Sequence, residues 1–309
     1  MKNIEEEIYK ISEENFSLIL KSILNRIPVL IAGPNDKDVE LFGNSLADLM
    51  SFRVKSIFYT DFISSEELDI MLQQEESDYD IKRNIILCPC NVLQKALQTF
   101  EQFKSWILCY HVGDNEIKEN SNSINSKMGL IIRQIQKKES VFLLIETFDN
   151  ETRVNLIGQK LKEIDLKFEK NIYSKAITFV DNSINKMQRI FVQRLSLLKN
   201  YSNELKSELL DFNFEELNLK RNMFKIHILE FYNAARRAFS ILNKMTILNS
   251  LNIKIELSDK TLLDTISYDD ASYSRLLEFI KAEWGDLLSA KVDIEPIKYK
   301  HDLIESLWG

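Results

Sequence analysis

Hydrophobic positions in the first half of the chain alternate between two periods. Short apolar runs at Val29–Ile31, Val54–Tyr59, Ile85–Cys88, Trp106–Tyr110 and Val141–Ile145 have the length of buried strands. Between them, apolar residues recur every three or four positions. Ile4, Ile8 and Ile11, then Phe16, Ile19, Leu20 and Ile23, predict helix over 4–26 with an interruption near Ser12–Asn15. Further helical stripes are Val39, Phe42, Leu46, Leu49, Met50; Leu93, Ala96, Leu97, Phe100; Ile124, Met128, Ile131, Ile135; and Val154, Ile157, Leu161, Ile164, Phe168. Ser64-Ser65-Glu66-Glu67 reads as a capping box opening a helix to about Leu72, and Asn91-x-x-Gln94 as a second cap. Five strands alternating with amphipathic helices predict an α/β fold, a doubly wound, mostly parallel five-stranded sheet over residues 1–169, because parallel strands need crossover helices on both faces.

Beyond residue 170 the period is helical. Ile172, Ala176, Val180, Ile184, Met187, Phe191, Leu195 and Leu198 form one long stripe, and Phe224, Ile228, Phe231, Ala235, Phe239 and Leu242 another, with a break near Asp211–Asn213. No glycine or proline lies between Gly158 and Gly285, so nothing punctuates these helices. The expectation for 170–309 is a mostly α-helical domain with a long antiparallel hairpin, coupled to the first without a flexible linker. Leu251, Ile253, Ile255 and Leu257 alternate as a short strand would. Later helices carry Tyr273, Leu276, Leu277, Ile280, Trp284 and Leu287, then Leu303, Ile304, Leu307 and Trp308. The polar insert Gly113–Ser123 has the composition of a lid.

Ligands of such sheets sit at the carboxyl ends of the strands. Five places therefore matter: Gly33–Asp38, Thr60-Asp61, Cys88-Pro89-Cys90, His111–Asp114 and Glu146–Asp149. The first, Gly33-Pro34-Asn35-Asp36-Lys37-Asp38-Val39-Glu40, follows a strand and opens a helix, and so resembles the phosphate loop of P-loop NTPases in a degenerate form. That resemblance implies a nucleotide-binding-type or Rossmann-like α/β scaffold over residues 1–169. It departs at the chemistry: the family's lysine aligns with Val39, its Ser/Thr with Glu40, and its inner glycines with Asp36 and Asp38. A phosphate loop presents N–H groups and a lysine to an anion. Here three carboxylates face one lysine, and a cation or a basic partner side chain is the expected guest. The G-x-G-x-x-G spacing is absent as well.

Cys88, Cys90, Cys109 and His111 make a candidate zinc set if their strands are neighbours, although a single proline between two thiolates is poor spacing. Buried strand cysteines are the alternative. His111 with Cys88 or Cys90 could also form a nucleophilic pair, without an evident orienting group.

Charge adds a partner question. The chain of 309 residues carries −7 overall, split as −8 over 1–169, +6 over 170–245 and −5 over 246–309. The basic middle offers Arg189, Arg194, Lys220, Arg221, Lys225, Arg236 and Arg237 as partner-binding candidates. They suit solvated faces docking against the acidic domain, another protein, or, over 186–244, nucleic acid or anionic lipid. Three cysteines exclude a disulfide framework, no apolar run reaches membrane-span length, and the acidic start is no secretory signal, so a cytoplasmic protein is expected.

The function expected from these features is a non-catalytic interaction or regulatory protein without a cofactor, bound to another protein or to itself. The alternatives are an atypical nucleotide-binding ATPase or GTPase, and nucleic-acid or anionic-lipid binding through the basic helices.

Overall fold

The computed structural model describes residues 11–75, 83–113, 127–148, 151–160, 164–195, 210–251, 253 and 257–285. Expectations for Ile4 and Ile8, the insert after Gly113, Leu161, Leu198, Ile255 and residues 286–309 lie outside them. The chain divides into two compact units, one of Met1–Ile23 with Ile27–Ile228, the other of Leu24–Arg26 with Leu229–Gly309.

In the first unit, helix α1 (Glu13–Leu24) leads into β1 (Val29–Gly33), α2 (Asp36–Leu49), β2 (Val54–Ile57), α3 (Ser65–Glu75), β3 (Asn84–Cys88), α4 (Leu93–Thr99), β4 (Trp106–His111), α5 (Lys127–Gln136), β5 (Phe142–Phe148), β6 (Glu151–Ile157), α6 (Lys167–Leu195) and α7 (Asn213–Ser250), which continues into the second unit. The interruption expected near Ser12–Asn15 is the start of α1, where Ser12 Oγ accepts the Asn15 N–H. The capping box is present: the Glu67 N–H donates to Ser64 Oγ (3.3 Å) and the Ser64 N–H to Glu67 Oε2 (3.4 Å).

The sheet has six strands in the order β2-β3-β4-β1-β5-β6, parallel except for β6. Five strands were expected, and the sixth replaces the helix read from Val154 and Ile157. Thr152, Val154 and Leu156 lie less exposed than the intervening Arg153 and Asn155, a strand's alternation. Two apolar residues three apart satisfy a helical stripe as well, so the local pattern misleads. Antiparallel pairing with β5, Ile145 opposite Val154, decides it.

Crossovers proceed in two directions and so cover both faces. α3, α4 and α5 share one core with Leu30, Ala32, Ile86, Cys88, Trp106, Leu108, Phe142 and Leu144. α2 covers the opposite face, packing chiefly over β4 with β1 and β3. The helical hairpin is antiparallel as expected: Tyr173 of α6 meets Phe224 of α7, while Phe191, further along α6, meets Phe212, just ahead of α7. Val180, Ile184 and Phe212 form the seam, and Phe16 of α1 packs against Tyr173 and Phe224.

In the second unit, the remainder of α7 packs with α8 (Asp259–Ile266) and α9 (Tyr273–Trp284). Phe231 touches Tyr268 and Phe279, and Trp284 touches Tyr232, Phe239 and Phe279. Arg275 donates to Asn25 Oδ1 (2.9 Å), and Asn25 Nδ2 to Glu278 Oε1 (2.8 Å). α8 has no counterpart in the periodicity. Its signal is local: Ser258 Oγ accepts the Thr261 N–H, and Ser267 ends the helix in the left-handed region.

Candidate functional site at the carboxyl edge of the sheet

β1 feeds α2 on one face and leads to the sheet edge. β4 crosses β1 by way of α5 on the other face and leads to β5. The two chains therefore leave neighbouring strands in opposite directions, and the crevice between β1 and β4 is the topological switch point where such sheets take ligands.

Only Pro34 and Asn35 separate the last residue of β1 from the first of α2. Asn35 is the N-cap: its Oδ1 accepts the Lys37 N–H at 3.0 Å, and Asp36 Oδ1 stands 3.2 Å from the same donor. Asp36 and Asp38 sit in the first turn, where negative charge favours the helix by about 0.3–1 kcal/mol. Pro34, Asn35, Asp36 and Lys37 are exposed and Asp38 is half-buried. Gly33 itself is closely packed. A Cβ on Gly33 would lie 2.3 Å from Thr147 Oγ1 and 2.8 Å from Val39 Cγ2. Only glycine tolerates that approach. Thr147 Oγ1 donates to the Ala32 carbonyl (3.3 Å), and the Val112 N–H to the Gly33 carbonyl (2.8 Å).

The cysteines do not converge. Cys88 pairs in register with Leu108, which puts Cys109 on the opposite face. Cys88 belongs to the core beneath α3–α5, whereas Cys109 Sγ lies 3.7 Å from the Val39 carbonyl under α2. His111 is exposed. Burial, then Cys90 and Glu40, raises Cys88 far above the ordinary thiol value, and burial, then Cys90, Cys88 and Glu40, does the same to Cys109. Cys90 is pushed up to about 12 by burial, then by Glu40 and Asp36. Nucleophilic attack uses the thiolate, which these surroundings disfavour. Among the described residues, no group of three or more His, Cys, Asp or Glu is placed to hold a metal. Glu40 instead serves the fold, because its Oε1 accepts the Cys90 N–H (3.0 Å) and ties α2 to the turn after β3. The cap expected at Asn91 is absent, because a 3-10 turn over Cys90–Val92 precedes α4 and no side chain caps either.

At the β2 end, Asp61 folds back to accept the Ile57 N–H (2.7 Å). Tyr59 holds a left-handed φ of 69° while the Lys95 ammonium lies over its ring (3.8 Å) and donates to its hydroxyl (2.6 Å). At the β5 end, Glu146 stands opposite Arg153, and Asp149 lies outside the described residues. Burial raises Glu146 above its ordinary value of 4.5 despite the attraction of Arg153. The fold thus favours the protonated acid, and stability falls as pH rises from about 4.5 through the raised value. Glu146→Gln should therefore raise the melting temperature near neutral pH and leave it unchanged well below pH 4.5, as calorimetry at the two pH values would show.

The basic candidates are spread over α6 and α7 and over both units. Arg189 and Arg194 are exposed on α6. Lys220 pairs with Glu216 (2.6 Å) and Arg221 with Asp48 of α2 (3.2 Å). In the second unit, Arg236 is half-buried and Arg237 donates to the Ile266 carbonyl at the end of α8 (2.8 Å). Sequence reasoning missed Asp48, which joins Arg221 to Lys55 of β2 (2.7 Å). These residues are up to 173 positions apart, and no local pattern connects them. Among the described residues, no helix is long and apolar enough to cross a membrane. Compared with known proteins, the chain matches no family, no curated protein and no solved structure.

Proposed function

We propose that this is a non-catalytic interaction or regulatory protein, built on a scaffold of nucleotide-binding type whose phosphate loop is replaced by a helix cap. The observation that carries this reading is the two-residue β1–α2 connection. A phosphate loop of the G-x-x-x-x-G-K-[ST] kind wraps successive N–H groups around an anion. Here the Lys37 N–H is taken by Asn35, the first-turn charges are negative, and Thr147 and Val39 fill the space at Gly33. The helices supply surface for a partner: Phe179, Ile190, Phe214 and Ile226 on α6 and α7 are each more than 45% exposed. Three free thiols, two of them buried, support a cytoplasmic setting.

Thermal unfolding with ATP or GTP and Mg²⁺ tests the reading. The expected result is no shift attributable to the β1–α2 junction at millimolar nucleotide. A Mg²⁺-dependent shift abolished by Lys37→Ala would overturn it in favour of an atypical nucleotide-binding protein.

A further inference from the structure

At the carboxyl end of α2, away from the switch point, lies a cluster with more positive charge than its own carboxylate neutralises. Asp48 takes Lys55 on one oxygen (2.7 Å) and Arg221 on the other (3.2 Å), and Lys55 Nζ also donates to Asn44 Oδ1 (2.9 Å). One turn beyond Arg221 stands Lys225, half-buried, with no hydrogen bond or ion pair among the described residues. Lys55, Arg221 and Asp48 all act on it electrostatically. Lys55 and Arg221 thus flank one carboxylate on a third element, and Lys225 stands on the same face of α7 as Arg221. The neighbouring Lys220 adds no free charge, being held by Glu216.

We infer that Lys55, Arg221 and Lys225 form a binding site for a single phosphate group carried by a small molecule. The local excess is two positive charges, and a phosphate monoester carries roughly −1.5 to −2 near neutral pH. Arginine supplies a planar fork for its oxygens, and the lysines supply point charges. Without an anion, Lys225 is a cation at a disadvantage: burial, then Arg221 and Lys55, lower its pKa, with only Asp48 opposing. A polyanion fits less well, because the chain's net charge of −7 repels an extended one, while a local cluster of this size matches one phosphate. The inference does not depend on what occupies the β1–α2 junction.

The test is thermal unfolding of the full chain in inorganic phosphate against chloride at matched ionic strength, with Lys225→Met as the central variant. Phosphate at about 20 mM should raise the melting temperature of the unmodified chain. Lys225→Met keeps the apolar stem and removes the charge. It should unfold in chloride at the same temperature or higher, and its phosphate affinity should drop by about tenfold or more. Lys55→Met should lose affinity too. No effect of phosphate on the unmodified chain, an equal effect on Lys225→Met, or a Lys225→Met destabilised in chloride would each overturn the inference. So would a single-stranded oligonucleotide, or vesicles of anionic lipid, binding through Lys225 more tightly than phosphate, since the site would then read a polyanion. Any nucleotide response removed by Lys225→Met but not by Lys37→Ala belongs to this cluster, which keeps its failure separate from that of the proposed function.

Discussion

Replacing Trp106 with alanine should destabilise the α/β unit by about 3–5 kcal/mol, the usual cost of emptying a large aromatic site. The indole is 1% exposed. It stacks on Phe100 (5.9 Å between centroids, 8° between planes) and receives Phe58 and Phe103 edge-on at 5.3 and 5.7 Å. Such pairs contribute about 0.5–1.5 kcal/mol each beyond the area they bury. Its Nε1–H also donates to the Phe100 carbonyl (3.1 Å), which alanine would leave without that donor. Trp106→Phe keeps most of the packing and loses the hydrogen bond, so it should cost less. Urea titration followed by far-ultraviolet circular dichroism orders the three proteins. Equal midpoints for the alanine variant and the unmodified chain would mean that the aromatic cluster does not anchor the sheet.

Gly158→Ala should cost about 2–6 kcal/mol, through two effects that add. Gly158 has φ of 95°, where a side chain is strained by about 1–3 kcal/mol. Its Cβ would lie 1.8 Å from the Ser140 carbonyl oxygen and 3.2 Å from Val141 Cα. These are backbone atoms, so no rotamer change relieves the overlap, and shifting them costs about 1–3 kcal/mol more. Strain falls on the end of β6, where Ile157 pairs with Phe142, and amide exchange in β5 and β6 should accelerate first. Gly113→Ala is the control. A Cβ there meets nothing within 4 Å, and its melting temperature should barely move.

The elements were largely legible, and their arrangement was not. β1 and β3 are buried on both faces, so Val29–Ile31 and Ile85–Cys88 stand out as apolar runs, yet for the same reason nothing in a run tells which strand lies beside it. The order that puts β1 between β4 and β5 therefore came only from the structure. Register was hidden too. Cys88 and Cys109 sit on opposite faces because Cys88 pairs with Leu108, and a shift of one residue would have reversed that. The long helices were readable, as buried Ile172, Ala176, Val180 and Ile184 follow the expected stripe. The acidic character of the Asp36–Glu40 turn was readable because helix capping is local. Its closure by Thr147, and the meeting of Asp48 with Arg221, are tertiary facts that no short window contains.

The most direct measurement of the central claim, that the β1–α2 junction is a closed helix cap, is hydrogen–deuterium exchange over Gly33–Glu40 with and without millimolar Mg²⁺-ATP. The closed cap predicts that the amides of Asp36, Lys37, Asp38 and Val39 exchange at the same rates in both conditions. Protection of those amides by nucleotide, lost on Lys37→Ala, would contradict it.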